Sequence, residues 1–188
     1  MKIIGITGTI GSGKGTIVDY LVTEWGFTHL SVRDYLLEII AARGLTPNRD
    51  SMVLVANDLR AKHEPSYIID ELFKKATILN KNCIIESIRT PGEVTSLRKK
   101  QNFSLFAVDA DPKIRFDRIT IRNSVTDHIG FEEFLSNERR EMTSTDPNHQ
   151  NLQKCIEMAD FIFDNNGSIV DLHAQIEMNM KKINCTHE

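Results

Sequence analysis

Lys14 lies within the run Gly8-Thr9-Ile10-Gly11-Ser12-Gly13-Lys14-Gly15-Thr16, and a lysine set among glycines at this spacing is equipped to hold phosphate. Gly8, Gly11 and Gly13 permit backbone conformations that other residues resist. The chain can then wrap inward and aim several N–H groups at one anion. A helix starting there adds the positive end of its dipole to the same spot. Lys14 would reach the β and γ phosphates of a nucleotide, and a hydroxyl early in the helix would sit near Mg²⁺. The common spelling places Ser or Thr directly after the lysine; here Gly15 intervenes before Thr16. The nucleotide-binding candidates are therefore Gly8, Gly11, Ser12, Gly13, Lys14, Gly15 and Thr16. A glycine-rich turn with an accidental lysine would spell the same letters. The context argues against it: the apolar run Lys2–Thr7 precedes the loop, and Ile17, Tyr20, Leu21 and Trp25 follow at helical spacing.

Further along, Cys83-Ile84-Ile85-Glu86 is a buried-strand pattern ending in a carboxylate that could bind Mg²⁺ through water or accept a proton. A carboxylate in a solvated turn would read the same way. Arg89 follows at once, and a guanidinium there could clamp phosphate oxygens with two parallel hydrogen bonds, or lie on the surface. Arg115, Arg118 and Arg122 fall at i, i+3 and i+7 on one helix face, where three cations repel unless something negative meets them. Ser31-Val32-Arg33-Asp34 fits either an acceptor-side carboxylate or a capping box, with Ser31 as cap and Asp34 three residues on. Arg139 and Arg140, between Glu138 and Glu141, could swing from the expected lid onto the phosphates, but read best as a solvated helix face. His29, His63, His128, His149, His173 and His187 show no metal spacing, and none is assigned a role.

These residues need a frame. Short apolar runs at Lys2–Thr7, Thr28–Val32, Cys83–Ser87, Leu105–Asp109 and Phe161–Phe163 read as strands. Helical patterns cover Lys14–Trp25, Arg33–Arg43, Arg49–His63, Ser66–Leu79, Gly92–Lys100, Pro112–Arg122, Phe131–Met142, Asn151–Met158 and Ile169–Lys182. Continuous rather than alternating apolar strands, interleaved with helices, predict a five-stranded parallel sheet covered on both faces. The expectation is a single three-layer α/β domain over 1–188, with a helical insertion at 33–79 on the acceptor side. A lid is expected at 123–150, because segments this long inside a compact domain are usually functional.

The chain has 188 residues, 40% of them hydrophobic and 26% charged, enough for one soluble domain with a sizeable core. A net charge of −3 gives no basic surface for nucleic acid or for membrane. Cys83, Cys155 and Cys185 are too few and scattered for a disulfide framework or zinc site, and fit a reducing compartment. No apolar run reaches membrane-spanning length, so a cytoplasmic location is expected.

Gly8–Thr16, Glu86–Thr90 and Asp117-Arg118-Ile119-Thr120-Ile121-Arg122 together resemble the P-loop nucleoside monophosphate kinases, the adenylate kinase group. That resemblance implies a P-loop kinase fold. It also implies that Arg118 and Arg122 open the lid, one lying over adenine and the other touching the transferred phosphate. The run Ala159-Asp160-Phe161-Ile162-Phe163-Asp164-Asn165-Asn166-Gly167 is similar instead to dephospho-CoA kinases, in which such a stretch forms the last strand and a turn packed on the adenine. Ser31–Asp34 joined to Arg89-Thr90-Pro91-Gly92-Glu93-Val94 looks most like a group of nucleotide-kinase-like proteins carrying both motifs. There are two departures. Dephospho-CoA kinases usually carry an Asp-Ala-Asp-like run where Ser31–Tyr35 stands, and adenylate kinases usually carry an arginine where Leu36 and Leu37 stand.

Together these residues describe an ATP-dependent phosphotransferase acting with Mg²⁺ on a nucleoside or deoxynucleoside monophosphate. Its catalytic candidates are Lys14, Arg89, Arg118, Arg122, Glu86 and Asp34, with Thr16 and Glu86 organising the metal. A phosphate acceptor is already ionised and needs no base, whereas a hydroxyl acceptor, as in dephospho-CoA, would need Asp34 or Glu86 to take its proton. A regulatory ATPase without a small acceptor is a third reading. The expected partner is a small-molecule phosphate acceptor, with no nucleic acid or membrane, and the protein a monomer or small homo-oligomer.

Overall fold

A computed structural model of the chain describes residues 1–100, 102–122 and 129–185. The start of the expected lid (123–128, His128 included) and His187 lie outside the described residues. In chain order the elements are β1 (Ile3–Gly8), α1 (Lys14–Trp25), β2 (Thr28–Ser31), α2 (Val32–Ala42), α3 (Arg49–Lys62), α4 (Tyr67–Leu79) and β3 (Cys83–Glu86). There follow α5 (Pro91–Arg98), β4 (Phe103–Asp109), α6 (Pro112–Arg122), α7 (Phe131–Met142), α8 (Leu152–Glu157), β5 (Phe161–Asp164) and α9 (Ile169–Cys185).

The five strands form one parallel sheet in the order β2-β3-β1-β4-β5. The period of two along each strand divides the core into two layers. Ile3, Cys83, Ile85 and Leu105 face a layer built from α2, α3, α4 and α5, including Leu36, Val55, Ile69 and Val94. Ile4, Ile6, Ile84 and Phe106 face the opposite layer of α1 and α9, including Ile17, Leu21, Leu172 and Ile176. This is the three-layer α/β architecture that continuous apolar strands require. Among the described residues no helix is long and apolar enough to cross a membrane.

The chain leaves β1 toward β2 on one side and later returns to β4 on the other, so the strand order reverses around β1. Crevices for ligands open at the C-terminal ends of strands beside such a reversal. Local chemistry fixes the helices that frame this edge. Ser31 caps α2 by accepting the Asp34 N–H, and Asn48 and Ser51 cap α3 reciprocally. Thr90 and Glu93 form a second reciprocal box at α5, with Pro91 in its first turn.

Candidate functional site

The loop between β1 and α1 is held from behind by hydrogen bonds. The Ser12 hydroxyl, fully buried, donates to the Thr9 carbonyl at 2.8 Å, and the Thr9 hydroxyl donates to the Asp109 carboxylate at 2.7 Å. Asn165, in the turn after β5, donates its side-chain amide to the Ser12 carbonyl at 2.8 Å. Gly13, which begins α1, has φ of 104°, and a Cβ there would overlap the Asn165 amide. Among the described residues no side chain caps α1, and no acidic residue lies in its first turn, so the first-turn N–H groups and the dipole are left for an anion. Gly15 differs: among the described residues a Cβ there would meet nothing within 4 Å. Thr16 follows it in the first turn of α1.

Lys14 Nζ folds back over the loop, donating to the carbonyls of Gly8 at 3.0 Å and Thr9 at 2.7 Å. Burial, reinforced by the Arg89 charge, pushes its pKa down to about 7, against the opposing pull of Glu86 and Glu141. Anionic oxygens arriving beside it would favour its charged form.

Beyond the loop opens a cavity of about 280 Å³, floored by Ile10, Gly11 and Lys14 and walled by α2 and α3 through Val32, Leu36, Met52 and Ala56. Its polar lining is strongly one-sided. Among the described residues, Arg33, Arg49, Arg60, Arg89 and Arg122 join Lys14, against two carboxylates, Glu86 and Glu141. Glu86 stands at the end of β3 with the His29 ring nitrogen Nε2 3.2 Å away. Burial raises its pKa, but His29, Lys14 and Arg89 together hold the carboxyl below its usual range. Ser87 turns the chain into the site with φ of 69°, a left-handed conformation rare for a side-chain-bearing residue.

Arg89 is anchored at both ends. Its backbone N–H donates to Glu93 at 2.7 Å, and its Nη1 donates to Glu141 at 2.7 Å and Gln150 at 3.0 Å. Glu93, completely buried, also binds Arg60 through Nε and Nη2 at 3.1 and 2.8 Å. Glu141 reaches in from α7 and is shared between Arg49 and Arg89. Burial raises its pKa, and the Arg89 and Arg49 charges outweigh that and lower it.

The arginine stripe of α6 goes to three different places. Arg115, 2% exposed, pairs with Glu138 of α7 and donates to the carbonyls of Ala110 at 2.7 Å and Ile10 at 3.3 Å. It therefore ties α7 to the phosphate loop from outside the cavity. Arg118 donates Nη2 to the Asn165 carbonyl at 2.9 Å, beside the turn that holds Ser12. Only Arg122 of the three lines the cavity.

Asp34 does not join the site. It is exposed on the first turn of α2, where its N–H binds Ser31 at 3.1 Å, while Ser31, Val32 and Arg33 line the cavity instead. The Ser31–Asp34 spelling is thus a helix cap that projects the acidic side chain outward. Arg139 and Arg140 lie exposed on α7. Sequence reasoning missed Arg49, Arg60, Glu93, Glu141 and His29. The Thr90-x-x-Glu93 spacing is a legible capping box, but Arg49 and Glu141 are 92 residues apart and carry no local signal.

Among the described residues no three His, Cys, Asp or Glu side chains cluster as a metal site. The Thr16 hydroxyl and the ionised Glu86 carboxylate are oxygen donors of the kind Mg²⁺ takes when nucleotide phosphates and water complete its shell.

A parallel 2-3-1-4-5 sheet with a glycine loop opening into α1 makes this a P-loop kinase-like protein. Residues 4–143 match the AAA domain family. The UPF0200 protein MmarC7_0527 of Methanococcus maripaludis strain C7 is 30% identical over 187 residues, covering 97% of this chain and 98% of that protein. The chain belongs to the AAA domain family and to the UPF0200 proteins. Shikimate kinase from Bacteroides thetaiotaomicron superposes with a TM-score of 0.60 at 10% identity, over 97% of this chain and 98% of its own. Dephospho-CoA kinase from Campylobacter jejuni superposes at 0.50 with 15% identity, over 97% of each chain. At those identities the likeness shows the fold alone.

Proposed function

We propose that the protein is an ATP-dependent phosphotransferase that moves the γ-phosphate of ATP onto a nucleoside or deoxynucleoside monophosphate. The observation that carries this reading is the cavity against the phosphate loop, where among the described residues six basic side chains face two carboxylates. That excess suits an acceptor bearing its own phosphate next to the phosphates of ATP. Backbone N–H groups of Gly11–Gly15 and Lys14 would hold the β and γ phosphates. Thr16 and Glu86 would hold Mg²⁺, which neutralises charge on the β and γ oxygens when bound. Arg89 would hold the acceptor phosphate in line, and Arg122 would stabilise charge on the transferring group. Arg118, set beside Asn165, would lie toward the nucleotide base. An acceptor oxygen then forms the new bond to the γ phosphorus as the bond to the β-bridging oxygen breaks and ADP departs.

The pKa directions support a phosphate acceptor. Both carboxylates of the cavity are held ionised by cationic neighbours, which makes them weak proton acceptors. One observation favours the second reading, a hydroxyl acceptor such as dephospho-CoA: Glu86 and His29 form a contact pair at the cavity edge that could pass a proton outward.

The test is ATP consumption with Mg²⁺ across ribo- and deoxyribonucleoside monophosphates and dephospho-CoA. Stimulation by a monophosphate is expected. Stimulation by dephospho-CoA alone installs the second reading, with Glu86 as the base, and silence across the panel with ATP still bound supports a regulatory ATPase. Arg89→Ala should raise the acceptor KM by about 10- to 100-fold, the worth of hydrogen bonds to a charged group.

A further inference from the structure

We infer that the Glu141 carboxylate sits in the acceptor-anion site as an internal stand-in, and that an incoming dianionic phosphate displaces it from Arg49 and Arg89. The inference rests on the phosphotransferase reading only in naming the acceptor as the source of that phosphate.

Glu141 comes from α7, is 5% exposed, and divides its two oxygens between arginines of different elements: Oε1 to Arg49 on α3, Oε2 to Arg89 after β3. Each arginine gives this carboxylate one N–H, and guanidiniums flanking an anion are equally suited to hold phosphate oxygens. The carboxylate thus leaves other buried donors beside it unmet. Arg49 Nε and Arg60 Nη1 are buried and find no partner among the described residues, and both arginines line the same cavity. Arg60 is 2% exposed and its other nitrogens are held by Glu93, so its free N–H cannot turn to solvent. Buried donors left unpaired are unfavourable. A carboxylate offers two oxygens, whereas a terminal phosphate offers three and twice the charge. The wall is therefore built for a larger anion than the one it holds.

Glu141 also has somewhere to go. A second cavity of about 280 Å³ lies on its other side, lined by Asn57, Arg140, Ser144 and His149, with Glu141 and Gln150 as the partition. Glu141 is the penultimate residue of α7, and Thr143 beyond it is extended. A side-chain rotation at the helix end exchanges Arg49 and Arg89 for Arg140 and His149. Acceptor binding and the position of α7 are coupled by this exchange, because the displaced carboxylate belongs to the helix that Arg115 ties to the phosphate loop through Glu138.

Titration calorimetry with inorganic phosphate tests this on the full chain. Glu141→Gln should bind phosphate about tenfold more tightly than wild type, since the competing charge is gone and both arginines remain. Adding Arg49→Gln to Glu141→Gln should abolish the gain, which assigns it to this site rather than to the phosphate loop. Thermal unfolding gives an independent readout. Glu141→Gln should melt lower without phosphate and be restored by it more than wild type is. Glu141→Asp, too short to bridge both arginines, should behave likewise and serves if the Gln variant fails to fold. Phosphate affinity unchanged or weaker in the Gln variant, or in the Asp variant where Gln does not fold, overturns the inference, as a purely structural ion pair would give that result. Tighter phosphate binding with no turnover on any monophosphate retains the displaced carboxylate and removes the phosphotransferase reading. Turnover with unaltered phosphate affinity does the reverse.

Discussion

Lys14 should make nucleotide binding depend on pH in a direction opposite to stability. Its unliganded pKa is about 7, because burial and Arg89 oppose its charge more than Glu86 and Glu141 favour it. Bound phosphates favour the charged form, so the pKa in the complex rises well above that value. The apparent Kd then grows as 1 + 10^(pH − 7), which is about 25-fold between pH 7.5 and 9, and about eightfold if the free pKa lies one unit higher. Over this range the terminal phosphate of the nucleotide is largely ionised, so its own titration adds little. Stability runs the other way. The folded pKa lies below the unfolded value of 10.5, so the unfolded chain binds more protons between about 7 and 10.5. Stability of the unliganded protein therefore rises with pH across that window through this group. The assay is titration with a fluorescent ADP analogue from pH 7.5 to 9, beside chemical denaturation without ligand. Lys14→Arg, which cannot lose its proton, should flatten the binding profile, and Lys14→Met should remove the stability gain. A wild-type Kd changing by less than twofold, or an arginine variant with the wild-type slope, refutes the reasoning.

Two other outcomes follow from the packing. Glu93→Gln leaves Arg60 uncompensated in the core and weakens the anchors of the Arg89 and Thr90 N–H groups. Removing one partner of a buried pair costs about 3–5 kcal/mol, and a loss below about 1 kcal/mol by denaturant titration contradicts the anchoring role given to Glu93. Gly13→Ala should destabilise the fold and abolish nucleotide binding, because it meets both a positive φ and the Asn165 amide. Gly15→Ala, with open space around its Cβ, should instead keep the fold and gain up to about 1 kcal/mol in thermal unfolding.

Much of the frame was legible because it rests on local signals. The expected strand and helix segments all appear, three helices with the expected bounds and the other ends within three residues; the first strand runs Ile3–Gly8 rather than Lys2–Thr7. The phosphate loop was readable for the same reason: its glycines, lysine and following helix are contiguous, and the positive φ of Gly8, Gly11 and Gly13 is a demand of the loop itself. Ser31–Asp34 shows where local reading stops. Its letters allow a cap or an acidic site residue, and only the orientation of α2 against the sheet turns Asp34 outward and Arg33 toward the cavity.

The sequence by itself determined the class of the protein: a parallel α/β sheet, a phosphate loop at its leading edge, and arginines available nearby. Tertiary structure decided which charges meet. Gly5 in the first strand has no reason in the sequence, yet Ile88 and Phe103 occupy the space its side chain would take. Arg49, Arg89 and Glu141 come from α3, the turn after β3, and α7, and their pairing depends on how those elements pack. Arg60 and Glu93, 33 residues apart, likewise meet only because the fold brings their side chains from α3 and α5 within reach. Hydrophobic periodicity and caps act over a few residues, so a sequence records them directly. Charge pairing across a cavity acts through space, so it exists only once the fold has brought distant carboxylates and guanidiniums within hydrogen-bond reach.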